Sequence, residues 1–400
     1  MAYAPFNSAM LALGQAPSVI RETFEYGNRR AKEIGRENVF DFSLGNPSVP
    51  APDSVHAVMR DLMDHTDSVL LHGYTSAVGA EPTRKAIADD INKRFDAGIS
   101  PSNIYMTCGA AASLTVTLHA ILLPGDTCMT FAPFFPEYRV FTEATGAKLT
   151  VVPADTEKFQ MNLPAFESLI TPETKAVIIN TPNNPTGVIY TEENLRAFCG
   201  ILRKKEAEYG HPIYLIADEP YRELVYDDSA VVPYLTNLYD NTFVCYSFSK
   251  SLSLPGERIG YIVVSPKMQD SALVYAAVCG SGRALGFVCA PSTAQRVVAA
   301  NLGCTADLSV YRRNRDLLYG NLTKYGYHCI YPDGAFYLWI QALEEDANAF
   351  CMKAREYELL LVPSDSFGCK GYVRLAYCVT TEMIERSLPA FEALANAYKA

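Results

Sequence analysis

Lys250 closes the run TFVCYSF (242–248) after one further serine, and that run is rich in aromatic and β-branched residues. An ammonium group at the end of a buried strand loses its hydration, so its charge must be either lost or used. Ser247 and Ser249 stand just before the lysine, and Arg258 follows it in GERIGY. Two more apolar runs lead into polar residues. IYLIAD (213–218) closes on Asp218, and KAVIIN (175–180) opens into TPNNPTG, which holds Asn184. An amine, a carboxylate and an amide at the ends of buried runs are placed as a binding site needs them, because ligands of α/β sheets sit where loops leave the strand ends. Each also has a plainer reading: a lysine that snorkels to the surface, or an aspartate that caps a helix. A nucleotide-like stretch, GSGRALG (280–286), does not fit the dinucleotide fingerprint, because its third glycine comes one place late and no clean strand precedes it.

The elements that must position these residues follow from periodicity. KAVIIN, IYLIAD, TFVCYSF and RIGYIVV (258–264) do not alternate, as expected of strands buried on both faces. Helix-like stretches lie between them, such as TEENLRAFCGILRKKEAEYG (191–210), so the pattern is an α/β sheet, largely parallel. Near the N-terminus, VIRETFEYGNRRAKEIG (19–35) reads as a helix stopped by Gly35. The C-terminal part differs. YHCIYPDGAFYLWIQA (327–342) reads as two strands turning at Pro332-Asp333-Gly334, and ELLLVPSDSFGCKGYVRLAYC (358–378) as two more short strands. The expected organisation is a large domain over 46–284 and a smaller α+β domain built from 1–45 and 285–400.

Bulk properties narrow the function. The chain has 400 residues, 49% hydrophobic and 20% charged, which suits two folded domains. A net charge of −10 disfavours nucleic acid as partner. Eleven scattered cysteines without CxxC spacing read as reduced thiols of a cytoplasmic protein. The six histidines do not pair at ligand spacing, so no metal site is expected. No apolar run is long enough for a membrane span. The start, MAYAPFNSAMLALG, lacks the basic region and cleavage site of a secretory signal.

NNPTG (183–187), DEPY (218–221), SFSK (247–250), ERIGY (257–261) and YVRLAY (372–377), in this order, resemble the fold type I aminotransferases of the aspartate aminotransferase superfamily, class I/II. The likeness runs from LGNPSVPAP (44–52) to Arg374. It implies a mainly parallel seven-stranded sheet sandwiched by helices, a smaller α+β domain, and pyridoxal 5′-phosphate as cofactor. Lys250 would form the Schiff base with the cofactor aldehyde and shuttle the substrate's α-proton. Asp218 would keep the pyridine nitrogen protonated. Asn184 and Tyr221 would donate to the ring's phenolate oxygen, and Asn184 would also lie beside the substrate. Ser247 and Arg258 match the family's phosphate ligands, joined by the amides of Ala110 and Ala111 at a helix start. Many relatives carry a hydroxyl where this chain has those alanines. Phe135, in APFFPEY (132–138), stands where an aromatic stacks on the ring. Tyr74 resembles a tyrosine that reaches the phosphate of a neighbouring subunit, which implies a homodimer with shared sites. Arg374 would grip the substrate α-carboxylate, with Gly45 giving close backbone approach to it. The resemblance also implies cis bonds at Ala132-Pro133 and Asn184-Pro185.

The implied activity moves an amino group between an L-amino acid and a 2-oxo acid by a ping-pong mechanism. A C–S β-lyase would hold the cofactor with the same residues. A non-catalytic regulator is the other alternative; it would lack Lys250 or Asp218, or carry an appended DNA-binding domain, and the sequence shows neither change. Arg283 stands near the place of an arginine that pairs with a distal carboxylate in dicarboxylate-specific relatives, but one position out of register, and a loop arginine at the surface or dimer seam is the favoured reading.

Overall fold

The computed structural model describes residues 6–16, 18–227 and 230–399. Residues 1–5 of the N-terminal stretch read above lie outside the described residues. The main sheet has seven strands, in the spatial order Ile104–Thr107, Gly260–Val264, Thr242–Ser247, Tyr214–Asp218, Thr174–Asn180, Thr127–Phe131, Lys148–Val152. The last five pair in parallel, and Gly260–Val264 runs antiparallel to both of its neighbours. The sheet is therefore mostly parallel, as the unbroken apolar runs predict.

Burial on both faces explains the runs residue by residue. Val177, Ile179, Leu215, Ala217 and Val244 pack toward a core shared with Leu195, Phe198 and Leu202 of helix Glu192–Tyr209 and Ile87 and Ile91 of helix Glu81–Phe95. Their sequence neighbours Ala176, Ile178, Ile216, Phe243 and Cys245 face the opposite core, with Leu114, Val116 and Leu118 of helix Ala110–Ile121 and Val278 of helix Ser271–Leu285. Both sides of the pleat must be apolar when helices cover both faces. The helix expected over 191–210 spans Glu192–Tyr209; Thr191 caps its start and Gly210, in the left-handed region, ends it.

A second core gathers around a four-stranded antiparallel sheet, ordered Val362–Pro363, Tyr372–Ala376, Tyr337–Gln341, Cys329–Ile330. Pro332-Asp333-Gly334 lies between the two strands expected to turn there, which pair antiparallel. Helices Leu308–Tyr325 and Thr381–Ala397 pack on each other. The N-terminal part joins this unit. Phe40–Asp41 pairs in parallel with Leu359–Leu360, and Arg30 of helix Val19–Ile34 meets Glu358 at 2.6 Å. Helix Ser292–Ala300, which the sequence reading placed with the smaller unit, packs instead on helices Asp53–His65 and Glu81–Phe95, with Val297 and Val298 in the large core. Its apolar stripe fits either unit as a sequence, and only the tertiary contacts decide.

Candidate active site

Thr174–Asn180, Tyr214–Asp218 and Thr242–Ser247 end at the same edge of the main sheet, so their closing residues converge there. Asp218 is the last residue of its strand, and its carboxyl is buried. The Tyr138 hydroxyl donates to Asp218 Oδ2 at 2.5 Å, while Oδ1 has no partner. Burial pushes the carboxyl up to about 7, against the opposing effect of the Tyr138 hydrogen bond. Asn180 fixes the neighbouring backbone. Its side-chain amide donates to the Asp218 carbonyl at 2.8 Å, and its Oδ1 accepts from the Asn184 amide at 2.6 Å.

Lys250 lies in the short helix Phe248–Ser251 that follows the strand, so the run ends at Ser247, before the lysine. Its Nζ donates to the Gly45 carbonyl at 2.7 Å. Burial lowers the amine to about 8, and Arg258 and Arg374 push the same way against an opposing effect of Cys378. An amine lowered this far is neutral in about a tenth of molecules at pH 7, and the neutral form is able to act as a nucleophile or a proton acceptor.

Arg374 lies mid-strand in the small sheet and is 2% exposed. It donates to Asn184 Oδ1 at 3.1 Å and to the Ser43 carbonyl at 2.6 Å, which leaves Nε buried without a partner. A guanidinium with donor capacity to spare inside a cleft is suited to a carboxylate. Opposite it, Tyr221 and Tyr337 share a hydrogen bond between hydroxyls at 2.9 Å.

The opposite end of the cleft combines backbone amides with side chains. Gly109 caps helix Ala110–Ile121 at φ +89°, which brings the first amides, those of Ala110 and Ala111, to the cleft. A Cβ at Gly109 would stand 2.8 Å from Arg258 Nη2. Ser247 Oγ accepts the Ser249 amide at 3.1 Å and meets the Ser249 hydroxyl at 2.7 Å. Amides at a helix start, two hydroxyls and an arginine together make this end of the cleft suited to an anion.

Of the twelve expected site residues, eleven line one cleft of about 300 Å³: Gly45, Ala110, Ala111, Phe135, Asn184, Asp218, Tyr221, Ser247, Lys250, Arg258 and Arg374. The twelfth, Tyr74, is 97% exposed and is not brought to the cleft of its own chain. Arg283 lies exposed in the last turn of helix Ser271–Leu285, away from that cleft. Ala132-Pro133 and Asn184-Pro185 are cis as expected, and Thr181-Pro182 is a third cis bond that the sequence reading did not include. Sequence reasoning also gave no role to Tyr138, Asn180, Ser249 or Tyr337. Tyr138 and Ser249 sat inside the quoted motifs, but nothing in a motif says which of its polar residues turns inward.

A mostly parallel seven-stranded sheet between helices, with a lysine, an aspartate and an asparagine converging beyond its strand ends, defines the fold type I architecture. The chain belongs to the aminotransferase class I and II family, whose sequence profile matches residues 37–391. It is 30% identical to an aspartate aminotransferase of Thermotoga maritima over 90% of this chain and 92% of that one. A probable N-acetyl-LL-diaminopimelate aminotransferase of Bacillus subtilis is 29% identical, over 89% of each. Among solved structures, an aminotransferase from Eubacterium rectale superposes with a TM-score of 0.97 at 53% identity over the whole of both chains. The aspartate aminotransferase of Thermus thermophilus with maleate gives 0.84 at 25% identity, covering 98% of this chain and all of that one. The protein is thus an enzyme, an aminotransferase. These relatives lend no support to the β-lyase alternative. Among the described residues, no helix is long and apolar enough to cross a membrane.

Proposed function

We propose that the protein is a pyridoxal-phosphate-dependent aminotransferase that moves the amino group of an L-amino acid to a 2-oxo acid, with Lys250 as covalent anchor and proton carrier. The observation that carries this reading is the unpartnered, buried Asp218 Oδ1 in the cleft that also holds the buried amine of Lys250. A lone buried carboxylate oxygen is costly unless a donor meets it, and a protonated pyridine nitrogen is such a donor. The cradle of Gly109, Ala110, Ala111, Ser247 and Arg258 fits the cofactor's phosphate, and Phe135 at the cleft wall fits its ring. Bound pyridoxal phosphate supplies an aldehyde that a primary amine can take up and a cationic ring that draws electrons from an amino acid's α-carbon.

The chain's own residues divide the remaining work. Arg374, held by Asn184 and the Ser43 carbonyl, orients the substrate carboxylate with its free Nε. Gly45 lets the backbone come close to it. Lys250 Nζ, buried in the cleft, would take the substrate's α-proton and hand it on. Tyr221 and Asn184 would donate to the ring oxygen of the cofactor. One 2-oxo acid leaves before the next binds, so initial-rate plots should be parallel.

Tyr74, nearly fully exposed, is read as reaching the site of a second copy, which makes the working unit a homodimer. All eleven cysteines are free thiols, which supports a reducing, cytoplasmic setting. The two-domain division is read as falling near residue 300, after the helix that packs on the large core. The test is reconstitution with pyridoxal phosphate, followed by single-turnover incubation with each of twenty amino acids. The expected result is loss of the holoenzyme's visible band with one 2-oxo acid formed per site. Transamination by Lys250→Ala at more than a trace rate would overturn the assignment.

A further inference from the structure

Tyr337 has no assigned role, yet it touches three of the residues discussed above. Its hydroxyl lies 2.9 Å from that of Tyr221. Its ring lies under the Arg374 guanidinium, 4.6 Å from centroid to Cζ. A Cβ added at Gly45 would collide with its hydroxyl oxygen, so the phenol fills the space a side chain would take there. The carbonyl of the same Gly45 accepts from the Lys250 amine. Both tyrosines are buried, with their rings 5.7 Å apart at 81°.

We propose that Tyr337 is a positioning residue that donates its hydroxyl proton to the Tyr221 oxygen, so that Tyr221 is left with its own proton to offer the cleft. The inference rests on the cofactor reading above.

Two hydroxyls in contact can order their protons in either direction, and the surroundings choose. Arg374 sits on the Tyr337 ring and favours the anionic side of that phenol, which makes it the stronger donor. Burial raises Tyr337 to about 12, with Arg374 acting against that rise. Tyr221 is raised further, by burial first and then by Tyr337; Arg374 opposes the rise there too, but ranks behind Tyr337, whereas at Tyr337 it ranks next after burial. The weaker acid accepts. A hydroxyl that accepts one hydrogen bond donates a stronger one, because the pair is mutually polarised. The reverse order would turn the Tyr221 proton away from the ligand. The ionisable groups that face the pair are Arg374, Lys250 and Cys378, together with Asp218 and its partner Tyr138. Of these only Arg374 lies against the Tyr337 ring face.

The experiment is an absorbance titration with pH of the reconstituted holoenzyme, comparing wild type with Tyr337→Phe, Tyr221→Phe and the double variant. The Tyr337→Phe variant keeps an aromatic ring under Arg374, so the KM for the amino acid should hold. Removing the donor to Tyr221 weakens the hydrogen bond to the ring oxygen. The apparent pKa of the visible band should then rise by about half a unit. Tyr221→Phe should raise it more, and Tyr337→Phe should add nothing on that background. An unmoved band in Tyr337→Phe would overturn the relay, and so would an equal rise with and without Tyr221. A wild-type protein that takes up pyridoxal phosphate with no visible band would overturn the cofactor reading itself, and the relay with it.

Discussion

At the scale of single residues, the site is set by two groups whose burial works in opposite senses. Asp218 is held above its ordinary 3.8, at about 7, and Lys250 below its ordinary 10.5, at about 8, burial being the leading cause in each case. An acid raised on folding binds its proton more tightly in the folded state, so its contribution to stability falls as pH rises from about 3.8 to about 7. A base lowered on folding binds its proton less tightly, so its contribution recovers as pH climbs from about 8 toward 10.5. The cofactor-free protein should therefore show a dip in thermal midpoint between pH 7 and 8. Asp218→Asn should flatten the acid limb and Lys250→Met the alkaline one. Thermal unfolding across a pH series checks this, and limbs unchanged by either variant would show that these groups do not govern it. The identities of these two residues were legible in the sequence, because a lysine and an aspartate at the ends of buried runs are costly enough to need a reason. The helpers Tyr138, Asn180 and Tyr337 were not. Tyr138 lies 80 positions from Asp218 and Tyr337 lies 116 from Tyr221, and a tyrosine in an apolar run looks the same whether its hydroxyl meets a carboxylate or solvent.

Elements decide how those residues are presented. Four strands of the main sheet could be read from unbroken apolar runs, but Ile104–Thr107, Thr127–Phe131 and Lys148–Val152 could not, because no apolar run in them exceeds three residues. Nor could the reversal of Gly260–Val264, since a strand buried on both faces has the same composition in either direction. The helix that presents the anion cradle depends on Gly109 more than on its alanines. That glycine holds φ +89°, where a side chain is strained, and a Cβ there would crowd Arg258. Gly109→Ala should weaken pyridoxal phosphate binding by about five- to 150-fold, the effect of strain on the order of 1–3 kcal/mol. Gly200→Ala, in a helix where an added Cβ meets nothing within 4 Å, is the control and should leave affinity unchanged. Titration of the cofactor-free proteins with pyridoxal phosphate measures both; equal affinities for all three would mean that the cradle does not bind the phosphate.

For the whole molecule, the question is why one proposed site residue stands outside the cleft. Tyr74 follows the short helix Ser68–His72, where Val69 and Leu70 are also exposed, at 79% and 65%. An exposed aromatic beside exposed aliphatic residues gains most by burial against another copy. If Tyr74 serves the partner's cradle, each site takes Lys250 from one chain and Tyr74 from the other. Lys250→Ala homodimers then lack the lysine in both sites, and Tyr74→Ala homodimers lack the tyrosine in both. A mixed dimer is different: one site has lost both residues and the other has kept both. Random reassociation of equal amounts makes half of the dimers mixed, each with one intact site of two, so roughly a quarter of wild-type activity should return at limiting cofactor. Were Tyr74 to serve its own chain, every mixed site would lack one residue or the other, and mixing would give only the average of the two parents. Activity assays after unfolding and refolding the two variants separately and together distinguish the cases, with sedimentation of the refolded mixture showing whether dimers have formed.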